Sequence, residues 1–218
     1  MSSSNESSPF ASLPEDDAHD ALSQIKQDLF VLKHLGGKER GYFVEFGASD
    51  GKTLSNTWLL EKRFGWRGLL AEPSHHWHDL LKANRPGPID TRCIWKETGC
   101  RLPFHETQDN YLSGLDGPTC PITSTYEVET VTLSDLLNCH SSPPLIDYLS
   151  MDTEGSELDI LQRFTEDNGF DRYKFNAITV EHNFNPTKRQ AIMKLLTERG
   201  YQRVHEKLSD FDDWYVSM

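Results

Sequence analysis

The sequence predicts a doubly wound α/β fold, a mostly parallel sheet with helices on both faces, on three observations. From Tyr42 onward short apolar runs alternate with stretches of helical periodicity, the rhythm of consecutive βα units. The first run, Tyr42 to Phe46, ends in the turn Gly47-Ala48-Ser49-Asp50-Gly51 and opens a helix. A chain of 218 residues is long enough for one such domain to bury most of its apolar surface.

Residues 1–17 are rich in Ser, Asn, Pro and acids, too few apolar groups to offset chain entropy, and are expected to be a disordered tail ahead of a single domain at 18–218. From Ala18 to Leu35, Leu22, Ile25, Leu29 and Leu32 follow a helical repeat that Gly36-Gly37 stops; this helix is placed ahead of the first strand, over the ligand crevice. Strand one spans Tyr42 to Phe46 and leads to a helix through Leu54, Leu59 and Phe64. Strand two, Gly68 to Ala71, leads to a helix through Trp77 and Leu81, and strand three falls near Ile89 to Trp95. Residues 101–125 break this rhythm with Gly, Pro and polar residues and are expected to be a lid or acceptor-binding insertion. Thr132 with Asp135 makes a capping-box-like helix start. A buried strand follows at Leu145 to Met151, then a helix capped by Ser156 with Leu158, Leu161 and Phe164 on one face. Ala177 to Val180 is strand five. Asn185-Pro186 opens the last helix, whose core face is Ile192, Met193, Leu195 and Leu196, and Gly200 ends it. Tyr201 to Val204 and Trp214 to Val216 complete the chain.

The turn after strand one says most about the ligand. Glycine is needed where the backbone takes positive φ or passes close to a ligand. A dinucleotide fingerprint reads G-x-G-x-x-G, with the helix N-terminus aimed at a pyrophosphate; here the spacing is Glu45-x-Gly47-x-x-x-Gly51. An acid beside the turn repels a diphosphate and suits a ligand carrying positive charge, such as the amine and sulfonium of S-adenosylmethionine. Strand two ends in Glu72-Pro73, about 20 residues past the turn, the spacing at which a carboxylate takes both ribose hydroxyls. Each feature alone is also common at strand ends and tight turns; the pair points to a nucleoside.

These segments, together with Leu59 to Gly68, Thr132-Leu133, Tyr148 to Glu157 and Val180-Glu181-His182-Asn183, closely resemble the FkbM family of S-adenosylmethionine-dependent methyltransferases, from Gly41 to the C-terminus. The sequence departs from the family pattern at Ser49, where the family usually has Asn, and at Thr153, where it more often has Val. The resemblance implies a Rossmann-like class I methyltransferase fold with a seven-stranded, mostly parallel sheet and an antiparallel edge strand. It further implies cofactor contacts from Glu45, Gly47, Asp50, Gly51, Ser55, Glu72, Pro73, Cys93 and Asp152, and methyl transfer to a hydroxyl of a sugar or small natural product.

Ligands of open α/β sheets bind outside the carboxyl ends of the strands, where strand order reverses. That gathers Glu45 to Asp50, Asp152 with Glu154, and Glu181 with His182 in one crevice. Asp152 leaves a buried strand as its first charged group and is placed beside the methionine end of the cofactor; as a plain helix cap it competes poorly with Ser156. A hydroxyl acceptor must lose its proton, and His182, flanked by carboxylates, is the expected base; the alternative is a structural His bonded to a backbone carbonyl. The catalytic set is therefore Asp152, Glu154, Glu181 and His182. A competing use of these groups is oxygen ligation by Asp152, Glu181 and Asn183 of a hard cation such as magnesium, lowering the acceptor's pKa instead of a base. His75, His76 and His78 cannot share one helix face and are expected to be a solvated surface.

Composition narrows the partners. A formal charge of −12 repels phosphate backbones and anionic lipid, so a nucleic-acid substrate is disfavoured. No run approaches the ~18 apolar residues of a membrane span and the N-terminus lacks a basic start followed by an apolar block; a soluble, cytoplasmic protein is expected. Cys93, Cys100, Cys120 and Cys139 form no C-x-x-C pair and are expected to be free thiols. A catalytically inactive module that keeps the cofactor fold is the rival to an enzyme.

Overall fold

The structure, a computed structural model, describes residues 20–115 and 120–218. The expected tail at 1–17 and the centre of the 101–125 segment lie outside the described residues. In chain order the elements are α1 (Gln27–His34), β1 (Tyr42–Phe46), α2 (Trp58–Phe64), β2 (Arg67–Ala71), α3 (His78–Asn84), β3 (Ile89–Asp90), β4 (Cys93–Ile94), β5 (Arg101–Thr107), a 3-10 turn (Asn110–Leu112), β6 (Ile122–Val131), α4 (Leu133–Cys139), β7 (Leu145–Met151), α5 (Glu157–Glu166), α6 (Gly169–Arg172), β8 (Lys174–Glu181), α7 (Pro186–Glu198), β9 (Tyr201–Val204) and β10 (Asp212–Ser217).

Seven strands form the main sheet in the order β3-β2-β1-β7-β8-β10-β9. All neighbours from β3 to β8 pair in parallel, whereas β10 runs antiparallel to both β8 and β9, so the antiparallel strand sits one place in from the edge. Strand order reverses between β1 and β7, and both neighbours of β1 are buried strands. Because successive side chains point to opposite faces, the two faces carry separate cores. Val44, Phe46, Leu69, Leu149, Ile178 and Val180 pack against Leu136, Leu161, Phe164, Ile192 and Leu196 of α4, α5 and α7. Phe43, Leu70, Tyr148, Ala177 and Trp214 pack against Leu29, Phe30, Leu32, Leu59, Leu60 and Leu81 of α1, α2 and α3. Burial on both faces is why these strands read as continuous apolar runs.

Several expectations change. Only residues 27–34 of the expected 18–35 helix form α1, because the segment before it spends its hydrogen bonds locally: Ser23 Oγ donates to Asp28 Oδ1, the Ile25 amide donates to Gln27 Oε1, and Lys26 takes a left-handed φ of 71°. Strand three is split; β3 joins the main sheet, but β4 pairs with β6 in a separate sheet of order β4-β6-β5. The segment expected to be irregular is largely that second sheet, with β5 and β6 antiparallel from Arg101–Glu129 to Thr107–Ile122. Met193 is exposed, leaving Ile192 and Leu196 as the buried residues of α7.

Helix starts follow side-chain chemistry. Thr132 Oγ1 accepts from the Asp135 amide at 3.1 Å, and Asn185 Oδ1 accepts from the Thr187 and Lys188 amides at 3.1 Å each. Ser156 sits at the start of α5 but does not cap it; Glu157 Oε1 instead accepts from the Thr153 amide at 2.7 Å. Arg85, following α3, ties the helices on one face to the β1 turn. Its buried guanidinium donates to Glu61 Oε2 (3.1 Å), the Gly51 carbonyl (2.9 Å) and Thr57 Oγ1 (2.9 Å), and lies 3.8 Å from Glu45 Oε2. Removing one member of a buried ion pair leaves the other uncompensated. Arg85→Met is therefore expected to lower unfolding free energy by about 3–5 kcal/mol in urea titration; a loss below about 1 kcal/mol would show that the guanidinium is not what holds the turn.

Candidate active site

Strand register builds the site. Glu45 pairs with Leu70 on one side and Ser150 on the other, and Met151 pairs with Val180. The residues just past these pairs, Gly47, Glu72, Asp152 and Glu181, therefore stand in one row along the carboxyl ends of β1, β2, β7 and β8. The row is tight. Gly47 has φ 68°, and a Cβ there would run into the Asp152 carbonyl oxygen, so only glycine fits where β1 and β7 diverge.

Over this row opens a cavity of about 280 Å3. Glu45, Glu72, Asp152, Glu154 and Glu181 line it, and among the described lining residues there is no Lys, Arg or His. A second wall comes from the smaller sheet and the segment that connects β5 to β6: Ile94, Phe104, Asn110, Tyr111, Leu112 and Leu115, with Trp77 beside them. Leu54, Tyr111 and Phe184, three of the exposed large apolar side chains, also line it. Several lining residues hold left-handed backbone without being glycine: Ser49 (φ 47°), Leu54 (61°), Glu154 (54°), Asn183 (47°) and Phe184 (54°). Such strain persists only where surrounding structure enforces it, and it concentrates at functional sites.

The sequence-predicted residues fare unevenly. Glu45 lines the cavity, but its carboxylate accepts from the Asn56 amide (2.8 Å), Ser55 Oγ (3.1 Å) and Thr57 Oγ1 (2.5 Å); it and Ser55 shape the loop that forms one wall. Burial raises its pKa against the lowering pull of Arg85. Asp50 and Gly51 do not line the cavity. Asp50 accepts from the amides of Lys52 and Thr53 and so closes its own turn, and a Cβ on Gly51 would meet Leu81 Cδ1 at 2.5 Å and Arg85 Cγ at 2.6 Å, so this glycine serves packing. Glu72, Pro73 and Cys93 all line the cavity. Glu72 Oε2 accepts from the Ser49 amide and Oε1 from the Ser74 amide, both at 2.8 Å, and burial pushes its pKa up to about 7. Burial likewise pushes the Cys93 thiol up to about 12, so it is an uncharged wall group. The other three cysteines are free as well.

Asp152, Glu154 and Glu181 come together as expected, with one carboxylate oxygen from each lying within 4.8 Å of the others. Burial first, then mutual repulsion, raises the pKa of Asp152 and of Glu181; Glu154 is raised mainly by burial. His182 is not with them. Its ring is buried behind the cavity, where Nδ1 accepts from the Phe184 amide at 3.2 Å and Nε2 lies 3.7 Å from Asp213 Oδ1. Burial lowers its pKa despite Asp213. The chain turns sharply through Asn183 and Phe184, which carries the residues after β8 into the cavity and leaves His182 outside. Asn183 does reach the site, but as a donor to Glu154 Oε2 at 3.3 Å. Of the three clustered histidines, His75 and His76 are exposed, with His75 stacked on Tyr126 at 4.0 Å, while His78 Nε2 contacts the Glu72 carbonyl at 2.9 Å.

Sequence reasoning missed Asn56, whose Nδ2 donates to Ser150 Oγ at 2.9 Å and whose Oδ1 is buried in the wall without a partner. It also missed Gln24, Trp77 and Tyr111 as lining residues. No motif marks them, because their positions depend on how loops fold back over the sheet.

The raised carboxylates have a signed consequence. A group whose folded pKa exceeds its unfolded value stabilises the fold below the unfolded pKa and loses that contribution as pH rises through the folded one. For Glu72, raised from 4.5 to about 7, and Asp212, raised from 3.8 to about 7, the loss falls between about pH 4 and 7. Urea midpoints at fixed ionic strength are expected to be lower at pH 7.5 than at pH 5; a higher midpoint at pH 7.5 would contradict this.

Comparison with known proteins agrees with the geometry. No curated protein sequence matches the chain. Among solved structures, the methyltransferase FkbM from Methylobacillus flagellatus KT has a TM-score of 0.52 at 13% identity, covering 93% of this chain and 57% of its own. A METTL16 MTase domain has a TM-score of 0.50 at 14% identity, covering 88% of this chain and 66% of its own. At these identities the likeness is one of fold. Residues 45–203 match the Methyltransferase FkbM domain, a span that runs from the acid before the first turn to β9 and takes in the whole strand-end row, and the chain belongs to the FkbM methyltransferase family.

Proposed function

We propose that this protein transfers a methyl group from S-adenosylmethionine to a hydroxyl oxygen of an uncharged small molecule, a sugar or a small natural product. The observation that carries this reading is the cavity at the strand-order reversal, lined by five carboxylates and by no cation among the described lining residues. Such a surface repels phosphate groups and favours a sulfonium and an ammonium. Glu72 keeps a lone pair on each oxygen for a ribose diol while its other bonds to Ser49 and Ser74 hold it still. Trp77, Ile94, Phe104 and Leu115 give the flat base an apolar slot next to Glu72. Asn56 Oδ1, buried without a partner, suits the ammonium of the methionine end.

In the reaction the acceptor oxygen attacks the methyl carbon, the carbon–sulfur bond breaks, and S-adenosylhomocysteine leaves. The cavity's contribution is alignment at near-attack distance. The hydroxyl proton departs toward the acidic group at the ends of β7 and β8, since His182 faces away. Leu54, Tyr111 and Phe184 at the wall offer apolar contact to the acceptor body, and the acid field disfavours nucleic acid as acceptor. A cofactor-binding module without turnover would share the fold and the slot; product formation separates the two.

Calorimetric titration with S-adenosylmethionine is expected to give micromolar affinity, weakened about tenfold or more, ~1.4 kcal/mol, in Glu72→Ala. With a panel of hydroxylated acceptors, S-adenosylhomocysteine should accumulate and fall at least about a hundredfold in Asp152→Ala. Absence of saturable binding, or equal binding by Glu72→Ala, would overturn the cofactor assignment.

A further inference from the structure

We propose that Asp152, Glu154 and Glu181 form a binding site for a divalent hard cation, magnesium or manganese in class, at the end of the cavity formed by β7 and β8. The three carboxylates arrive from two neighbouring strand ends, with one oxygen from each lying within 4.8 Å of the others, a spacing that lets one ion touch all three. An acidic cluster alone would not suffice. The second observation is Glu181 Oε2, which lies on a side chain only 5% exposed and has no hydrogen-bond partner. A buried acceptor without a donor is costly, and this one belongs to a residue that lines the same cavity as the other two acids.

Nearby cations are bonded to other carboxylates, although Lys188 still exerts a lowering pull on Glu154 and Glu181. Lys188 Nζ is bonded to Glu157 Oε2 at 2.9 Å, and Arg189 and Arg203 pair with Asp213 at 2.7 and 2.9 Å. Asn183, the third ligand expected from sequence, instead donates to Glu154 Oε2 at 3.3 Å and orients that carboxylate, the part an outer hydrogen bond plays in supporting a ligand. An all-oxygen donor set selects magnesium or manganese over zinc, which prefers nitrogen and sulfur. The open side of the site faces the cavity, where water or the acceptor's oxygen would complete the ion's coordination and the ion would acidify that hydroxyl. This last role rests on the methyl-transfer reading; binding of the ion does not.

The test is titration of the full-length protein with manganese(II), followed by electron paramagnetic resonance of the free ion and by calorimetry, with magnesium competition and a parallel S-adenosylmethionine titration. One ion per chain is expected, displaced by magnesium, and weakened about tenfold or more in Glu181→Gln and in the less buried Glu154→Gln. Glu127→Gln, on the exposed face of β6, should bind as wild type does. No binding at millimolar manganese while S-adenosylmethionine still binds would overturn the site, as would unchanged affinity in both triad variants. Manganese binding without S-adenosylmethionine binding would support the site while removing the proposed function around it.

Discussion

The arrangement of this protein depends on how closely β1 and β7 run at the point where strand order reverses. Gly47 lies against the Asp152 carbonyl so tightly that no side chain fits, and this contact fixes the turn after β1 relative to the acids after β7. Everything else in the site is referred to that line. Arg85 and Glu45 then lock the loop at 51–57 onto the same turn from below, so the wall carrying Ser55 and Asn56 stands at a set distance from Asp152. The carboxylates thereby become a fixed surface, and their burial without cationic partners on the cavity side is a property of the sheet topology.

Much of this was legible in the sequence, for a definite reason. Strands buried on both faces advertise themselves as apolar runs, and the parallel register forces the residues that follow each run to a common crest. Glu72, Asp152 and Glu181 could therefore be placed together from their positions alone. His182 could not be separated from Glu181 in the same way. One residue beyond a strand end, side-chain direction is set by the following turn, here by left-handed backbone at Asn183 and Phe184, which no periodicity reveals. Asp50 and Gly51 stand outside the cavity lining for a related reason: the aspartate closes its own turn and the glycine is forced by Leu81 and Arg85, roles that periodicity does not distinguish from ligand contact.

The departures from the family's sequence pattern also acquire a physical reading. Ser49 holds φ 47°, a region that Asn tolerates better than most residues, which accounts for an Asn preference at that place in the turn. Its amide is nevertheless spent on Glu72 at 2.8 Å, so the hydrogen bond that joins the first two strand ends survives the change. Thr153 similarly gains a bond through Oγ1 to Glu157 Oε1 at 2.7 Å, reinforcing the start of α5 where the side chain of Ser156 does not.

The smaller sheet has a different standing. β4, β5 and β6 hydrogen-bond to one another and to no strand of the main sheet, yet Phe104 and the segment Asn110 to Leu115 supply one whole wall of the cavity. The strand-end row and most of this wall are thus encoded in separate stretches of chain. Substitutions in residues 101–131 would therefore reshape that wall, including the apolar slot beside Glu72, while leaving intact the strand pairing that sets the row of strand ends.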